Sequence, residues 1–300
     1  MIHLISVAVL LGVGALAFLA ENWRSNCCLS SEHYTITSEK IPEEFHGKKI
    51  VFLSDLHNNQ LGKDNEKLLN EIEKEHPDYV FVGGDMLVSK RENHSGHAVS
   101  FMEKLAGRYP VYCGNGNHEE RLLWKEAECP EAGEIYRDYI KSLKAAGIHH
   151  LCNETVKLTE GNCHIYVSGL EIDKKFYQKL KSPSMEVDYI KDCLGDCKED
   201  SFHVLLAHNP TYFETYAKWG ADLTLSGHLH GGIMRLPILG GVIAPSYHLF
   251  PKYDAGLFRI GNQKMIVSVG LGSHSIKIRL FNPPKIDVIT LQHEKKAARL

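Results

Sequence analysis

Aspartate, asparagine and histidine residues recur in this chain where short apolar segments end. They are Asp55, His57, Asp85, Asn117, His118, His208, His228 and His230. The apolar segments have the length and composition of buried strands, and the carboxyl ends of such strands meet at one edge of a sheet. Mixed carboxylate and imidazole ligands suit borderline first-row cations, so the sequence predicts a site for divalent Mn, Fe or Zn.

Spacing and glycines refine this prediction. Residues two apart on an extended chain point the same way, so Asp55 with His57, or His228 with His230, can grip one ion. If either loop turns, the two members of the pair face different ions instead. Three glycines immediately precede proposed ligands, where a loop must approach a metal without a side chain in the way. They are Gly84, Gly116 and Gly227.

The motifs also follow a recognisable order. Asp-x-His at Asp55, Gly-Asp at Asp85, Gly-Asn-His-Glu at Gly116 to Glu119, a single His208 and Gly-His-x-His ending at His230 occur in that sequence. In this order they resemble the calcineurin-like metallophosphoesterases. No serine, cysteine or aspartate nucleophile motif accompanies them.

The resemblance implies a specific division of labour among these residues. Asp55, His57, Asp85 and His230 would hold one metal, and Asp85, Asn117, His208 and His228 would hold the second. Asp85 would bridge the two ions, which share a hydroxide that attacks phosphorus directly. His118 would contact the substrate oxygen or protonate the leaving group. Glu119 would lie just outside the set of direct ligands and help to orient them.

A narrower resemblance covers residues 34–292. The stretches 53–57, 244–245, 249–253 and 278–284 are similar to a membrane-linked bacterial branch that includes UDP-diacylglucosamine pyrophosphatases. In this branch the region near His248 lies close to the catalytic face, which makes His248 a candidate substrate-binding residue. Lys252 and Arg279 are then candidate phosphate-binding residues, Arg279 having the planar donor geometry that suits phosphate. The alternative is that both are solvated charges.

One position departs from the family pattern. Many relatives place an aspartate three residues after the bridging aspartate, where it orients the catalytic histidine, and this chain has Val88 there. Ser89 is expected to be a poor substitute. The sequence therefore predicts weaker support for His118 and slower hydrolysis of phosphomonoesters.

Strands alternate with helices over the first half of the chain, which predicts a largely parallel sheet, and the second half is richer in strands. The resemblance implies an α/β fold, an αββα sandwich of two mixed sheets flanked by helices. We expect a connector over 25–47 with a short strand at Tyr34–Thr37, one catalytic domain over 48–292 and a tail over 293–300. The sequence contains no internal repeat.

The first residues form a separate unit over 1–24. Leu4 to Ala20 is an uncharged apolar run just long enough to cross a bilayer as a helix, which predicts a single-pass membrane anchor. A cleaved signal peptide is the alternative, since Ala15-Leu16-Ala17 offers a cleavage site, although no Lys or Arg precedes the run. A buried helix of a soluble protein is the third reading.

Charge and cysteine content bear on location and partners. Arg24 and Lys40 follow the apolar run, and none of the eight cysteines has CxxC spacing; both observations favour a catalytic domain on the cytoplasmic side of the cell membrane. With 34 basic and 37 acidic residues, no nucleic-acid partner is indicated.

The expected substrate is a small phosphorylated or lipid-linked compound, either a phosphomonoester or a phosphodiester. A pyrophosphatase acting on a nucleotide-lipid such as UDP-diacylglucosamine is the alternative within the enzymes. Outside the enzymes, the chain could serve as a non-catalytic metal-binding scaffold, or as a metal store or sensor. The scaffold alternative is disfavoured because all seven ligands are present.

Overall fold

The computed structural model describes residues 2–89, 95–178, 183–232, 234–236, 239–243, 249–272 and 278–295. The helices are α1 Ile2–Cys27, α2 Glu66–Glu75, α3 Gly96–Ala106, α4 Asn117–Trp124, α5 Pro130–Ala145, α6 Val187–Leu194 and α7 Phe213–Trp219. The strands are β1 Ser30–Ser38, β2 Lys49–Leu53, β3 Tyr79–Val82, β4 Val111–Gly114, β5 His149–Leu151, β6 Glu154–Glu160, β7 Cys163–Leu170, β8 His203–Ala207, β9 Leu223–Ser226, β10 Arg235–Leu236, β11 Gly240–Gly241, β12 Gly256–Ile260, β13 Gln263–Val267 and β14 Lys285–His293.

Two six-stranded mixed sheets make up the centre of the molecule. The first has the order β1-β14-β2-β3-β4-β5, with β2 to β5 parallel to one another and β14 antiparallel to β2. The second has the order β12-β13-β9-β8-β7-β6, with antiparallel strands at both edges. A two-stranded hairpin, β10-β11, lies outside them. The predicted α/β class with two mixed sheets is confirmed.

Strand alternation builds the layers. Along β2, Ile50 and Phe52 point into the cluster between the sheets, whereas Val51 and Leu53 pack on the helical side. Because both faces are covered, β2 reads as a continuous apolar run. On the second sheet, Leu205 of β8 packs in the outer cluster with residues of α6 and α7. Helices therefore cover both outer faces, which gives the expected αββα sandwich.

The segment predicted as a connector differs from expectation. Residues 30–38 form the edge strand β1, which runs parallel to β14 over nine residue pairs. Its Tyr34 and Ile36 are two apart and pack into the core between the sheets. Polar residues on either side of this pair, at 30–33 and 37–38, hide the rest of the strand, so the sequence predicts only a short one there. The chain therefore joins the catalytic fold within a few residues of α1.

The first helix is longer than the apolar run that predicted it. Ile5–Cys27 is long and apolar enough to cross a membrane, and the described side chains of its apolar part are not buried against the protein. The last turns behave differently. Ser25 is fully buried, and the side chains of Glu21 and Asn22 bond to the backbone of residues 279–281. The end of α1 is thus packed against the folded domain.

Candidate metal centre

The predicted ligands leave the strands at one edge of each sheet. Asp55 follows β2, Asp85 follows β3, His208 follows β8, and His228 and His230 follow β9. The expected loop at Asn117 is instead the first turn of α4, which begins at that residue. The glycines before it gave no helical signal. The two sheets present these ends towards each other, so residues from distant parts of the chain meet.

The backbone is strained where it presents these side chains. Asp55, His57 and Asp85 have φ values of 56°, 50° and 54°, and His228 and His230 have 70° and 52°. Left-handed backbone is uncommon for residues other than glycine and clusters at functional sites. The loops therefore turn at the ligands, which is one of the two alternatives that the sequence leaves open.

The ligand atoms nevertheless converge. The structure brings them into three overlapping groups, in each of which all ligand atoms lie within 4.8 Å of one another: Asp55 with His57 and His230, Asp85 with His208 and His228, and His57 with Asp85 and His118. His228 and His230, two residues apart, fall in different groups. Asp55 and His57 fall in the same one.

Individual distances show how tightly the first two groups adjoin. Nε2 of His230 lies 3.3 Å from Oδ1 of Asp55 and 3.0 Å from Nε2 of His57. Nε2 of His208 lies 3.2 Å from Oδ2 of Asp85 and 3.8 Å from Oδ1 of Asp55. The centre is almost closed to solvent, since the relative exposure of each of these five residues is 9% or less.

The glycines beside the ligands are required by close contact. A Cβ on Gly227 would lie 2.1 Å from Oγ of Ser54 and 2.2 Å from Oδ2 of Asp55. A Cβ on Gly84 would lie 2.1 Å from the backbone nitrogen of Gly116, and Gly84 also has a φ of 90°. Atoms do not approach that closely, so these positions exclude every other residue type.

Hydrogen bonds to backbone groups fix the orientation of the ligands. Nδ1 of His208 lies 2.7 Å from the carbonyl oxygen of Gly83, which directs its Nε2 into the site. Glu119 accepts hydrogen bonds from the backbone N–H groups of Asp85, Leu87 and Gly116 at 2.7 to 2.9 Å. These contacts agree with the supporting role expected for Glu119. Its carboxylate fixes the strained turn that carries Asp85.

The field at the site favours positive charge. Burial lowers the pKa of His208, but the facing carboxylates of Asp85 and Asp55 outweigh it and raise the pKa to about 10. Burial would raise the pKa of Asp85, yet the neighbouring histidines, His208 first, hold it well below its ordinary value. Burial followed by the charge of His208 keeps the pKa of His228 low, so this imidazole is neutral, as a ligand must be.

Asn117 supplies an independent sign that the site fits a cation. Its Oδ1 is buried and, among the described residues, has no hydrogen-bond partner. A buried amide oxygen without a partner costs about 1–3 kcal/mol. The backbone N–H of the next residue, His118, donates to Oδ1 of Asp85 at 2.7 Å, so Asn117 lies on the turn that borders the ligands. An amide oxygen is a suitable donor for a divalent cation, so the residues present fit the metal that the donor set predicts.

His118 is better supported than the sequence indicated. The backbone N–H of Ser89 donates to its Nδ1 at 3.0 Å, and Oγ of Ser89 lies 3.3 Å from the same atom. The contact comes from the backbone N–H, which sequence cannot place, and it donates to the imidazole, whereas a carboxylate would accept from it. The slower monoester hydrolysis expected from Val88 stays a prediction. A donated bond at Nδ1 leaves the proton of a neutral imidazole on Nε2.

Arg279 and Lys252, two of the three candidate substrate-binding residues, make other contacts. The buried guanidinium of Arg279 donates to the backbone carbonyls of Val269, Gly270, Gly272 and Asn282. Lys252 is exposed and bonds to Glu214. His248, the third candidate, lies outside the described residues.

Arg279 and Asn282 support the metal centre in a way that sequence reasoning missed. Nδ2 of Asn282 donates to the carbonyls of His230 and Gly232. Three of the four carbonyls bonded by Arg279 belong to the loop 269–272, which packs on Asp55 and where Gly270 leaves no room for a side chain. The 278–284 motif carries part of the family resemblance, but its role in bracing two ligand loops depends on tertiary contacts.

Comparison with known proteins identifies the family. The profile of the calcineurin-like phosphoesterases matches residues 48–232. The chain belongs to this family. Among the relatives, the uncharacterized metallophosphoesterase YkuE of Bacillus subtilis is 27% identical over 271 residues, covering 88% of this chain and 86% of that protein. The phosphodiesterase YaeI of Escherichia coli is 27% identical over 246 residues, covering 81% and 82%.

A third member of the family has a more specific description. The UDP-2,3-diacylglucosamine pyrophosphatase LpxG of Chlamydia muridarum is 23% identical over 297 residues, covering 85% of this chain and 88% of that protein. Family membership makes this chain a metal-dependent hydrolase of phosphoesters, as the motifs predicted.

Proposed function

We propose that the chain hydrolyses a phosphomonoester or phosphodiester at a two-metal centre. The observation that carries the proposal is the convergence of Asp55, His57 and His230 in one group of ligand atoms and of Asp85, His208 and His228 in the adjoining one. Asp85 also lies in the group with His57, which suits a bridging carboxylate. Asn117, with its unpartnered Oδ1, completes the second set.

The chemistry follows from this arrangement. When bound, two divalent ions would lower the pKa of a shared water and offset charge on the phosphoryl oxygens. The imidazole and carboxylate donors favour Mn, Fe or Zn over Mg for this role. The buried pocket excludes bulk water, so the fixed dipoles and charges around the phosphoryl group act at low effective dielectric.

His118 is the proposed catalytic residue of the chain itself. The bond from Ser89 to Nδ1 leaves Nε2–H as the group that donates to a substrate oxygen or to the leaving group. The ring of His118 lies edge-on to that of His57, with ring centroids 4.8 Å apart, which puts it beside the ligands. The first turn of α4 carries it, where the helix dipole favours an anionic substrate.

A nucleotide-lipid pyrophosphate is a second candidate substrate. Two observations favour it: the relative LpxG is described as a UDP-2,3-diacylglucosamine pyrophosphatase, and α1 is apolar enough to hold the domain at a membrane. Both reactions cleave a P–O bond by the same attack. Rates on UDP-diacylglucosamine and on bis(4-nitrophenyl) phosphate, measured with one preparation, distinguish the two.

The test of the function joins metal analysis to phosphate chemistry. The full chain should bind two divalent ions and release nitrophenol from a nitrophenyl monoester or diester. Asn117→Ala should bind about one equivalent less metal and lose most activity, whereas Asn262→Ala, an exposed asparagine in the turn between β12 and β13, should match the parent. Tight metal binding without hydrolysis of any phosphoester or pyrophosphate would favour the scaffold.

We further propose that α1 anchors the protein in a membrane with the catalytic domain on the cytoplasmic side. Arg24 and Lys40 on the domain side of the helix and eight free cysteines support this orientation. Protease applied to sealed spheroplasts should leave the catalytic domain intact, and applied after lysis it should degrade it. Degradation in intact spheroplasts would reverse the orientation.

A further inference from the structure

Four short segments form a continuous hydrogen-bonded layer beside the metal centre. Residues 249–250 pair with 242–243, residue 242 bonds to 234, and residues 234–235 pair with 280. We call this layer, residues 234–236, 239–243, 249–250 and 280–281, the edge module. Since neighbouring segments lie about 4.8 Å apart, its two outer segments are separated by roughly 15 Å.

The edge module exposes large apolar side chains. Leu239, Leu249, Phe250 and Phe281 are 62%, 65%, 57% and 51% exposed. Among the described residues outside α1, Leu123 is the only other large apolar side chain in this exposed class. Scattered single exposed residues need no explanation, but four on one small layer indicate a contact surface.

Two of these side chains are held there at a cost. Phe250 and Phe281 have φ values of 48° and 53°, in the left-handed region. A bulky residue in that region is strained, and burial of these rings within the described protein does not offset the strain. Glycine or asparagine would fit both turns with less strain. Aromatic rings at these two strained and exposed positions therefore point to a contact outside the domain.

The edge module is continuous with the end of α1. The backbone N–H of Phe281 donates to Oε1 of Glu21 at 2.9 Å, and the N–H of Arg279 donates to Oδ1 of Asn22 at 2.9 Å. Trp23, which follows these two acceptors in the chain, is 71% exposed. If α1 crosses a bilayer, the module lies where the helix leaves the membrane, which is the level that Trp and Phe side chains prefer.

The charges of this region identify the kind of membrane contact. Arg235 is paired with Asp254 at 3.0 Å, and Lys252 is paired with Glu214. Arg24 is paired with Glu21 at 2.7 Å. These cations are already neutralised, so the surface is not a basic patch for anionic headgroups. Insertion of apolar side chains among the lipids is the interaction that the residues favour.

The metal centre adjoins the same module. His230 is followed directly by Gly231 and Gly232, and Gly232 is in close contact with Gly241 of β11. Asn282, next to Phe281, bonds to the carbonyl of His230. If the edge module contacts the lipid, the part of the metal centre that contains His230 therefore lies near the headgroups.

We propose that the edge module is a bilayer-contact surface, and that it and α1 together fix the catalytic domain against the membrane with the metal centre at headgroup level. The edge module contacts the same lipid bilayer that α1 enters. This inference concerns placement and does not depend on which phosphoester is cleaved.

Depth-dependent fluorescence quenching tests the surface in the full chain. The probe variants are Phe250→Trp and Leu239→Trp, each in a Trp23→Phe background, and the protein is reconstituted in phosphatidylcholine vesicles with or without lipids brominated near the headgroup. Asn262→Trp is the matched control, because the turn before β13 lies at the sheet edge opposite the metal ligands. The emission of each variant is compared with that of the background protein.

The expected result is that the emission added by Phe250→Trp and by Leu239→Trp falls at least twofold in brominated vesicles, while the emission added by Asn262→Trp does not change. The quenching should persist in 0.5 M salt, since paired charges contribute little. Equal quenching of all three probes, or none at residues 239 and 250, overturns the proposal. If both probes become shielded only in detergent at high protein concentration, the surface binds a second copy of the chain. That result also overturns the proposal.

Discussion

At the scale of single residues, a substitution of His118 distinguishes protonation of the leaving group from metal binding. It lies beside the ligand groups, and a backbone N–H fixes its tautomer. His118→Gln should lower kcat by about 10²–10⁴ for an alkyl phosphoester, which needs a proton on the departing oxygen. The loss should be much smaller for 4-nitrophenyl esters, because nitrophenolate leaves without one. Rates measured across a series of leaving groups provide the check.

The metal content of His118→Gln is the control for that experiment. Two equivalents of metal should remain, since the proposed ligands are unchanged. A uniform loss across all leaving groups would instead assign His118 to phosphoryl binding, and loss of one metal would make it a ligand.

Asp287 of β14 predicts a pH dependence of stability that is separate from the metal centre. Burial raises its pKa to about 7, against a hydrogen bond from Ser268, and its Oδ2 has no partner within the described chain. The folded state therefore holds a proton that the unfolded state releases at lower pH. This contribution to stability is complete below about pH 4 and is lost as pH rises towards 7.

Asp287→Asn should remove that slope. Because each unit of pKa shift corresponds to about 1.4 kcal/mol, we expect the variant to be about 2–4 kcal/mol more stable than the parent at pH 8 and similar to it at pH 4. Urea unfolding from pH 4 to 8 measures it. Asp138→Asn, on the exposed face of α5, is the matched control. An unchanged slope in Asp287→Asn would assign the pH dependence to other groups.

At the scale of elements, the turns after the strands carry the strain of the site. Gly84→Ala places a Cβ 2.1 Å from a backbone nitrogen, in addition to the penalty for a positive φ. We expect unfolding free energy to fall by more than about 3 kcal/mol and metal content to fall with it. Thermal unfolding and metal analysis on the same samples measure both effects.

Gly147→Ala isolates the backbone penalty. Its φ of 79° is similar, but nothing lies within 4 Å of the added Cβ. The expected cost is about 1 kcal/mol with full metal content. Equal effects of the two substitutions would show that the contact between the Asp85 and Asn117 turns has room to relax.

The strands and turns around the site show which features the sequence could predict and which it could not. The limits of β2 and β3 agree with the predicted segments because both strands are apolar on both faces. The positions of Asp55 and Asp85 followed from those limits. The Ser89 contact and the carbonyl bonds of Arg279 were not predictable, since they join backbone atoms whose place depends on how the two halves of the chain fold together.

At the scale of the whole molecule, the pairing of β1 with β14 ties the beginning of the domain to its end. This parallel pair joins residues 30–38 to 285–293, a separation that no local pattern encodes. The two-sheet class followed from family motifs and strand alternation, whereas the edge position of β1 required knowledge of β14. The consequence is that α1 leads directly into the sheet whose neighbouring strands carry Asp55 and Asp85.

The docking of α1 on the domain gives the last prediction. Oδ1 of Asn22 accepts from the backbone N–H of Arg279, the residue that braces the metal loops. Asn22→Ala should leave this N–H without its acceptor, a loss of about 1 kcal/mol or more. In the reconstituted full chain, hydrogen exchange of the Arg279 amide should accelerate at least about fivefold.

Peptides from β8 and β9 serve as an internal reference for that measurement and should exchange at the parental rate, because their bonds lie within the second sheet. Asn262→Ala is the matched surface control. Acceleration confined to residues 278–282 would establish α1 as a rigid arm of the catalytic domain. An unchanged rate at Arg279 would mean that the helix moves independently of the site, and the edge module would then have to hold the domain on the membrane alone.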